Sequence, residues 1–251
     1  MQTVAVVLAG GTGQRFTSGP GPALAGQAPA GRARPEPALP KQLLALGGVT
    51  LLERSVAAFD AAPGVTEVIV IMAAGFTGHA ERILRAGRYA KLSTITAGGP
   101  ARADSTRSAL RVLAGRPECN VLLHDAARPL VDQRIIADCI AELGRCEAIG
   151  VVVPSADTIA ETAGGTLTRL LPRAALARCQ TPQGFRLSVI ARAHERAAAD
   201  PDFSAAAATD DCGLVLRYLP QVPVRAVAGS EHNIKITYPG DLAVAEALLR
   251  G

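Results

Sequence analysis

Tryptophan is absent from the 251 residues, and three tyrosines and five phenylalanines bring aromatics to only 3%. So little π surface offers few platforms for stacking bases. The 26 Lys and Arg residues are interspersed with 22 Asp and Glu, for a net charge of +4, and no block of five basic residues occurs. These absences argue against a nucleic-acid partner. The basic surplus reads either as solvated surface charge or as a few cations gathered round an anionic small molecule. No run of about 18 uncharged apolar residues exists, which excludes a helical membrane span. No basic stretch or cleavage pattern precedes the apolar segment that starts at Thr3, so the expected location is cytoplasmic. Five cysteines (Cys119, Cys139, Cys146, Cys179, Cys212) are odd in number and lack a CxxC pair. That pattern supports neither a disulfide framework nor a zinc site, and the cysteines read as small core residues.

What is present is a chain 49% hydrophobic, long enough to bury a sizeable core in one large domain spanning 1–251. Short Val/Ile-rich runs alternate with segments of helical period. Strands are expected at Thr3–Ala9, Glu67–Ala73, Lys91–Thr96, Asn120–His124, Ala148–Val153, Val222–Ala228 and Ile234–Thr237. Helices are expected at Leu51–Ala62 (with a Thr50/Glu53 capping box), Gly78–Ala86, Arg102–Leu113, Asp132–Leu143 (capped by Asp132), Leu187–Ala199 and from Gly240. Strands apolar on both faces and alternating with helices imply an α/β fold, a mostly parallel twisted sheet covered on both sides. Two segments break the rhythm. Thr17–Leu39 is dominated by Ala, Gly and Pro, the composition of a flexible inserted loop. Pro154–Pro172, with a Gly164–Gly165 turn, reads as a protruding hairpin.

The first strand ends in Leu8-Ala9-Gly10-Gly11-Thr12-Gly13-Gln14-Arg15. Three glycines in four residues allow the backbone to approach an anion and turn amide N–H groups toward it. Phe16 stands where a dinucleotide fingerprint needs its third glycine, and no Gly-Lys-Ser/Thr exists for a P-loop. Arg15, followed beyond the insertion by Pro40-Lys41-Gln42, suggests two cations brought to a polyphosphate.

Four further motifs follow in order: Gly98-Gly99-Pro100-Ala101-Arg102-Ala103-Asp104-Ser105, His124-Asp125-Ala126-Ala127-Arg128-Pro129, Gln180-Thr181-Pro182-Gln183, and Asn233-Ile234-Lys235-Ile236-Thr237. Together the five motifs, spread along essentially the whole chain, resemble the cytidylyltransferases that make CDP-linked polyols. These are the 2-C-methyl-D-erythritol 4-phosphate enzymes of isoprenoid precursor synthesis and a sister group acting on ribitol 5-phosphate. The resemblance implies a Rossmann-like nucleotidyltransferase domain, CTP and a polyol phosphate as substrates, Mg²⁺ as cofactor, and a homodimer joined through the hairpin arm.

Residue by residue, the resemblance implies Arg15, Lys41 and Lys235 as the catalytic cations. Such a transfer needs dispersed charge neutralised and little covalent chemistry from the protein. It implies nucleotide contacts from Ala9, Gly10, Gly11, Gly13, Gly99, Arg102, Ser105 and Ala126, with Asp125 as the Mg²⁺ ligand. Asp125, Arg128 and Thr209 fall on the substrate side. Arg169 or Arg173 would supply charge for the polyol phosphate, because Ala160 and Glu161 follow Asp157-Thr158-Ile159 where these enzymes often carry a cation. Rival readings stay open: Lys41 as a solvated loop lysine, Asp125 as a turn-capping aspartate, Ser105 as a helix-start or core hydroxyl, Arg128 as a loop brace, His124 as packing. Pro100 and the insertion depart from the pattern. A dinucleotide-dependent oxidoreductase and a non-catalytic nucleotide-binding module are the other classes weighed. The missing third glycine counts against the first, and the presence of both Lys41 and Lys235 against the second.

Overall fold

The computed structural model describes residues 1–11, 39–205 and 208–250. Gly13, Arg15 and almost all of the Thr17–Leu39 insertion therefore lie outside the described residues. A seven-stranded sheet forms the centre. Its strands are β1 (Thr3–Ala9), β4 (Glu67–Met72), β5 (Leu92–Ala97), β6 (Asn120–Asp125), β7 (Ala148–Pro154), β10 (Ala177–Arg186) and β11 (Val224–Ala228), ordered β11-β7-β10-β6-β1-β4-β5. All pair in parallel except β10, which runs antiparallel to both neighbours.

Alternation along β1 divides the core. Ala5, Val7 and Ala9 pack with α1 (Leu51–Ala61), α2 (Thr77–Gly87) and α4 (Gln133–Leu143). Val4, Val6 and Leu8 pack on the other face with α3 (Arg102–Leu113), α5 (Leu187–Ala199) and α6 (Asp211–Tyr218). Successive strand residues point to opposite faces, so a run apolar at every position is buried on both. The caps read from sequence are present. Thr50 and Glu53 bond reciprocally at the start of α1, and Asp132 accepts from the Ile135 N–H at 2.7 Å. The hairpin comprises β8 (Ala160–Ala163) and β9 (Thr166–Leu170), turned by Gly164 and Gly165 at φ 56° and 79°. Both turn residues occupy the left-handed region that glycine tolerates without strain.

Several expectations are corrected. Ile234–Thr237 is not a strand; it is an irregular segment whose Ile236 N–H bonds Ala127 O at 2.8 Å. The strand β10, a short hairpin of β2 (Ala45–Leu46) and β3 (Val49–Thr50), and the helix α6 were not anticipated. A closing helix, α7 (Pro239–Arg250), begins where Asp241 accepts from the N–H groups of Thr237 and Tyr238. The five cysteines are free, but only Cys119, Cys139 and Cys212 are buried; Cys146 is half-buried and Cys179 exposed. No helix among the described residues is long and apolar enough to cross a membrane.

Candidate active site

The site lies at the carboxyl ends of β1 and β6, where an open α/β sheet collects ligands. Asp125, the last residue of β6, is 9% exposed. Its Oδ1 accepts from Arg102 Nε at 3.1 Å and its Oδ2 from Lys235 Nζ at 2.6 Å. Burial by itself would raise the carboxyl's pKa, but the Arg102 and Lys235 cations outweigh it and hold the group well below the usual carboxylate range. Asp125 is therefore an anion held between two cations. Sequence spacing of 23 and 110 residues gave no hint of that convergence.

Lys41 sits in a short 3₁₀ turn (Lys41–Leu43), and its Nζ donates to Ile236 O at 2.6 Å. Lys41 is thus drawn to the segment that carries Lys235, its acceptor lying 195 residues away along the chain. Gln42, which sequence reasoning passed over, is 3% exposed and donates to Ala9 O at 2.9 Å and Gly11 O at 2.8 Å. It ties the PKQ segment to the glycine turn. The motif was visible; the direction of the amide was not.

The QTPQ motif proves to be the scaffold of the Lys235 loop. The register of β10 against β7 shifts between Cys179 and Gln183, freeing Gln180 and Thr181 from regular ladder bonding. Asn233, fully buried, donates through Nδ2 to Gln180 Oε1 and Thr181 O. The Asp125 N–H donates to Thr181 Oγ1 at 3.1 Å. His124 is buried against Phe59, 5.0 Å between ring centroids. Its Nε2 faces Arg128 O, which only accepts, so that nitrogen carries the proton and Nδ1 accepts from the Thr181 hydroxyl. Burial depresses its pKa to about 4, against the opposing pull of Asp125. Packing, as expected, is its role, together with bracing this loop.

Other sequence candidates fall differently. Arg128 is a brace: Nη1 donates to Asn233 O at 2.7 Å and Nη2 to Cys179 O at 3.2 Å. Ser105 is 3% exposed, and its Oγ fills the space beside Gly10 and Gly98. The core-hydroxyl reading therefore describes its surroundings. Asp104 accepts from the Ala101 N–H at the start of α3, a helix-start residue. Ala126 is fully buried, its N–H on Leu8 O and its carbonyl accepting from Ser55. Gly99 approaches Asp104 too closely for any side chain. Thr209 is exposed, with no hydrogen bond among the described residues. Arg169 pairs with Glu161 across the hairpin at 3.7 Å, and Arg173 donates to Ala156 O at 3.1 Å. Neither contacts the Asp125 cluster within this chain.

A family model described as 2-C-methyl-D-erythritol 4-phosphate cytidylyltransferase matches residues 22–251. The chain belongs to that family. It is a nucleotidyltransferase of the cytidylyltransferase kind. A Thermobifida fusca protein of that name is 51% identical over 255 residues, covering 99% of this chain and 94% of its own. A solved structure of the Thermus thermophilus family member aligns with a TM-score of 0.70 at 31% identity, over 100% of both chains. A Haemophilus influenzae bifunctional ribulose 5-phosphate reductase/CDP-ribitol pyrophosphorylase is 32% identical over 252 residues, covering 99% of this chain but 48% of its own. Identity is higher to the first of these relatives, and over nearly its full length.

Proposed function

We propose that this site joins CTP to 2-C-methyl-D-erythritol 4-phosphate, forming the CDP-polyol and releasing pyrophosphate. The observation that carries the reading is the convergence of Lys41, Lys235 and Arg102 on the strand ends around Asp125. A phosphate oxygen of the polyol attacks the α-phosphorus of CTP in line; the P–O bond to the β-phosphate breaks, and its electrons leave with pyrophosphate. The attacking phosphate is already ionised at neutral pH, so no general base is required. Lys41, Lys235 and Arg15 neutralise charge spreading over the triphosphate, and preorganised cations do so without reorganisation at the moment of reaction. The glycine turn and the start of α3 hold the nucleotide.

The donor set fits Mg²⁺. Among the described residues no cluster of three or more His, Cys, Asp or Glu forms a protein cage. Asp125 alone is a hard carboxylate at the strand end, and Mg²⁺ on a nucleotide commonly takes one or two carboxylates plus phosphate oxygens. Asp125 would hold the ion, which when bound supplies charge neutralisation for the triphosphate. Each Asp125 oxygen has one cationic partner, so the ion would share the carboxylate with Arg102 and Lys235.

The hairpin supplies the second half of the reading. Every residue of β9 is exposed, including Leu167 at 68% and Leu170 at 63%. Apolar side chains on an extended arm favour a homodimer in which one arm reaches the other protomer's site. Arg173, free of any carboxylate partner among the described residues, is then better placed than the Glu161-paired Arg169 to meet the polyol phosphate. Five free cysteines favour a reducing, cytoplasmic location.

The test is pyrophosphate release from CTP with each polyol phosphate, under a magnesium titration. Efficient turnover of 2-C-methyl-D-erythritol 4-phosphate is expected, with kcat/KM far above that for ribitol 5-phosphate. The opposite ranking reassigns the substrate. An Asp125→Asn variant with an unchanged magnesium curve moves the metal ligand elsewhere.

A further inference from the structure

Asp211 is fully buried at the first position of α6, yet it is not among the residues matched to the family's site. Both of its carboxylate oxygens accept hydrogen bonds. Oδ1 takes a hydrogen bond from His194 Nε2 at 2.9 Å. Oδ2 takes one from Arg102 Nη1 and a second from the Thr106 hydroxyl at 3.3 Å. Its backbone N–H donates to Gln183 Oε1 at 3.0 Å, while the same amide's Nε2 donates to Asp210 at 3.1 Å. Asp211 is thus anchored from α5, α3 and β10 simultaneously. Arg102 in turn is shared between Asp211 and the site carboxylate Asp125.

We propose that Asp211 and His194 are positioning residues for Arg102, forming a buried line His194–Asp211–Arg102–Asp125 that fixes the guanidinium at the nucleotide end of the site. Neither reaches the strand ends by any contact of its own. A guanidinium presents its donors in a rigid fork, so fixing Nη1 on Asp211 also fixes the direction of Nε. Were Asp211 absent, the arginine would be held by Asp125 alone, a carboxylate it already shares with Lys235. With Asp211 present, Arg102 would keep one anionic partner if its Asp125 contact gave way to a phosphate. The cation is therefore neither pulled away with the departing pyrophosphate nor left uncompensated in the apo site. His194 completes the line: its Nε2 faces only a carboxylate oxygen and so carries the proton, which orients that oxygen and leaves the other for Arg102. This inference rests on the reading of Arg102 as a nucleotide-side residue.

The experiment measures CTP affinity by titration calorimetry, with KM for both substrates and thermal midpoints, for the parent enzyme, Arg102→Lys, Asp211→Asn, His194→Gln and His194→Leu. Hydrogen bonds to charged groups are strong enough that losing the anchor should weaken CTP binding roughly tenfold. Asp211→Asn and His194→Leu are expected to raise KM for CTP by about that factor and to leave KM for the polyol phosphate within about twofold. His194→Gln, which retains an N–H donor, should recover most of the loss. A purely structural role predicts lowered thermal midpoints with both KM values unchanged or shifted together, and that result overturns the proposal. If Asp211→Asn does not fold, the glutamine–leucine contrast at His194 decides: equal CTP affinities in the two variants overturn it. Should Arg102→Lys bind CTP like the parent, the nucleotide-side reading of Arg102 fails as well. If only Arg102→Lys is impaired, the site stands and the positioning line falls.

Discussion

At Gly10 an ideal Cβ would collide with Ser105 Oγ, because α3 begins directly against the glycine turn. The glycine is needed there for helix approach as much as for an anion. Gly10→Ala should therefore destabilise the fold by about 1–3 kcal/mol through overpacking, measured by denaturant unfolding. Adding Ser105→Ala leaves the next contact at 3.4 Å and should recover most of that loss. If the double variant is no more stable than the single one, steric conflict is not the cause. Lys41 and Lys235 carry the chemical prediction at this scale. Each changed to alanine should lower kcat roughly 10²-fold or more, with folding unchanged, as expected for removal of one preorganised charge. Near-parental turnover in either variant excludes that lysine from the mechanism. Both were legible because they sit in motifs. Gln42, Asn233 and Asp211 were not singled out, since a buried polar side chain is defined by which backbone or carboxylate it meets.

At the scale of elements, the hairpin and β10 show opposite kinds of legibility. A Gly-Gly turn between Thr-rich runs marked β8 and β9 in advance. The strand β10 escaped because Gln180-Thr181-Pro182-Gln183-Gly184 has the composition of a loop, and proline is poorly suited to a central strand. The register shift accommodates it, and the released polar groups hold Asn233 instead. The reverse error at Ile234–Thr237 has the same root. Apolar alternation there buries Ile236 beside Leu46 and Leu51, without any strand to pair with. The exposed arm yields a prediction of assembly. Sedimentation should show a dimer for the parent chain and a monomer for the Leu167→Asp/Leu170→Asp double variant. The charges would lie within an apolar contact and cost it its desolvation gain. A monomeric parent chain would end the arm-exchange reading.

For the whole molecule, acid is the informative variable. An unfolded chain protonates His124 near pH 6.5, whereas the folded protein does so only near 4. Between those values the unfolded state binds more protons, so stability is full above about 6.5 and declines as pH falls toward 4. The loss amounts to roughly 3 kcal/mol over that window. Asp125 and Asp211, whose carboxyl pKa values are depressed, add a further loss only below about pH 4, where the unfolded carboxylates take up protons first. Urea unfolding at a series of pH values should show this slope in the parent and a flatter one in His124→Gln. Equal slopes would assign the acid sensitivity to another group.

Local chemistry was sufficient for the strands and helices of the parallel sheet, the caps at Thr50 and Asp132, the hairpin turn and the family motifs. Periodicity, capping and turn propensity act over a few residues, and the chain reports them directly. Only the tertiary structure placed Arg102 and Lys235 on the two oxygens of Asp125, seated Lys41 on Ile236 O and bound Asp211 between His194 and Arg102. Those contacts join residues from 17 to 195 positions apart. Their partners and their depressed carboxyl pKa values depend on which groups share a buried space, a property no local stretch of sequence contains.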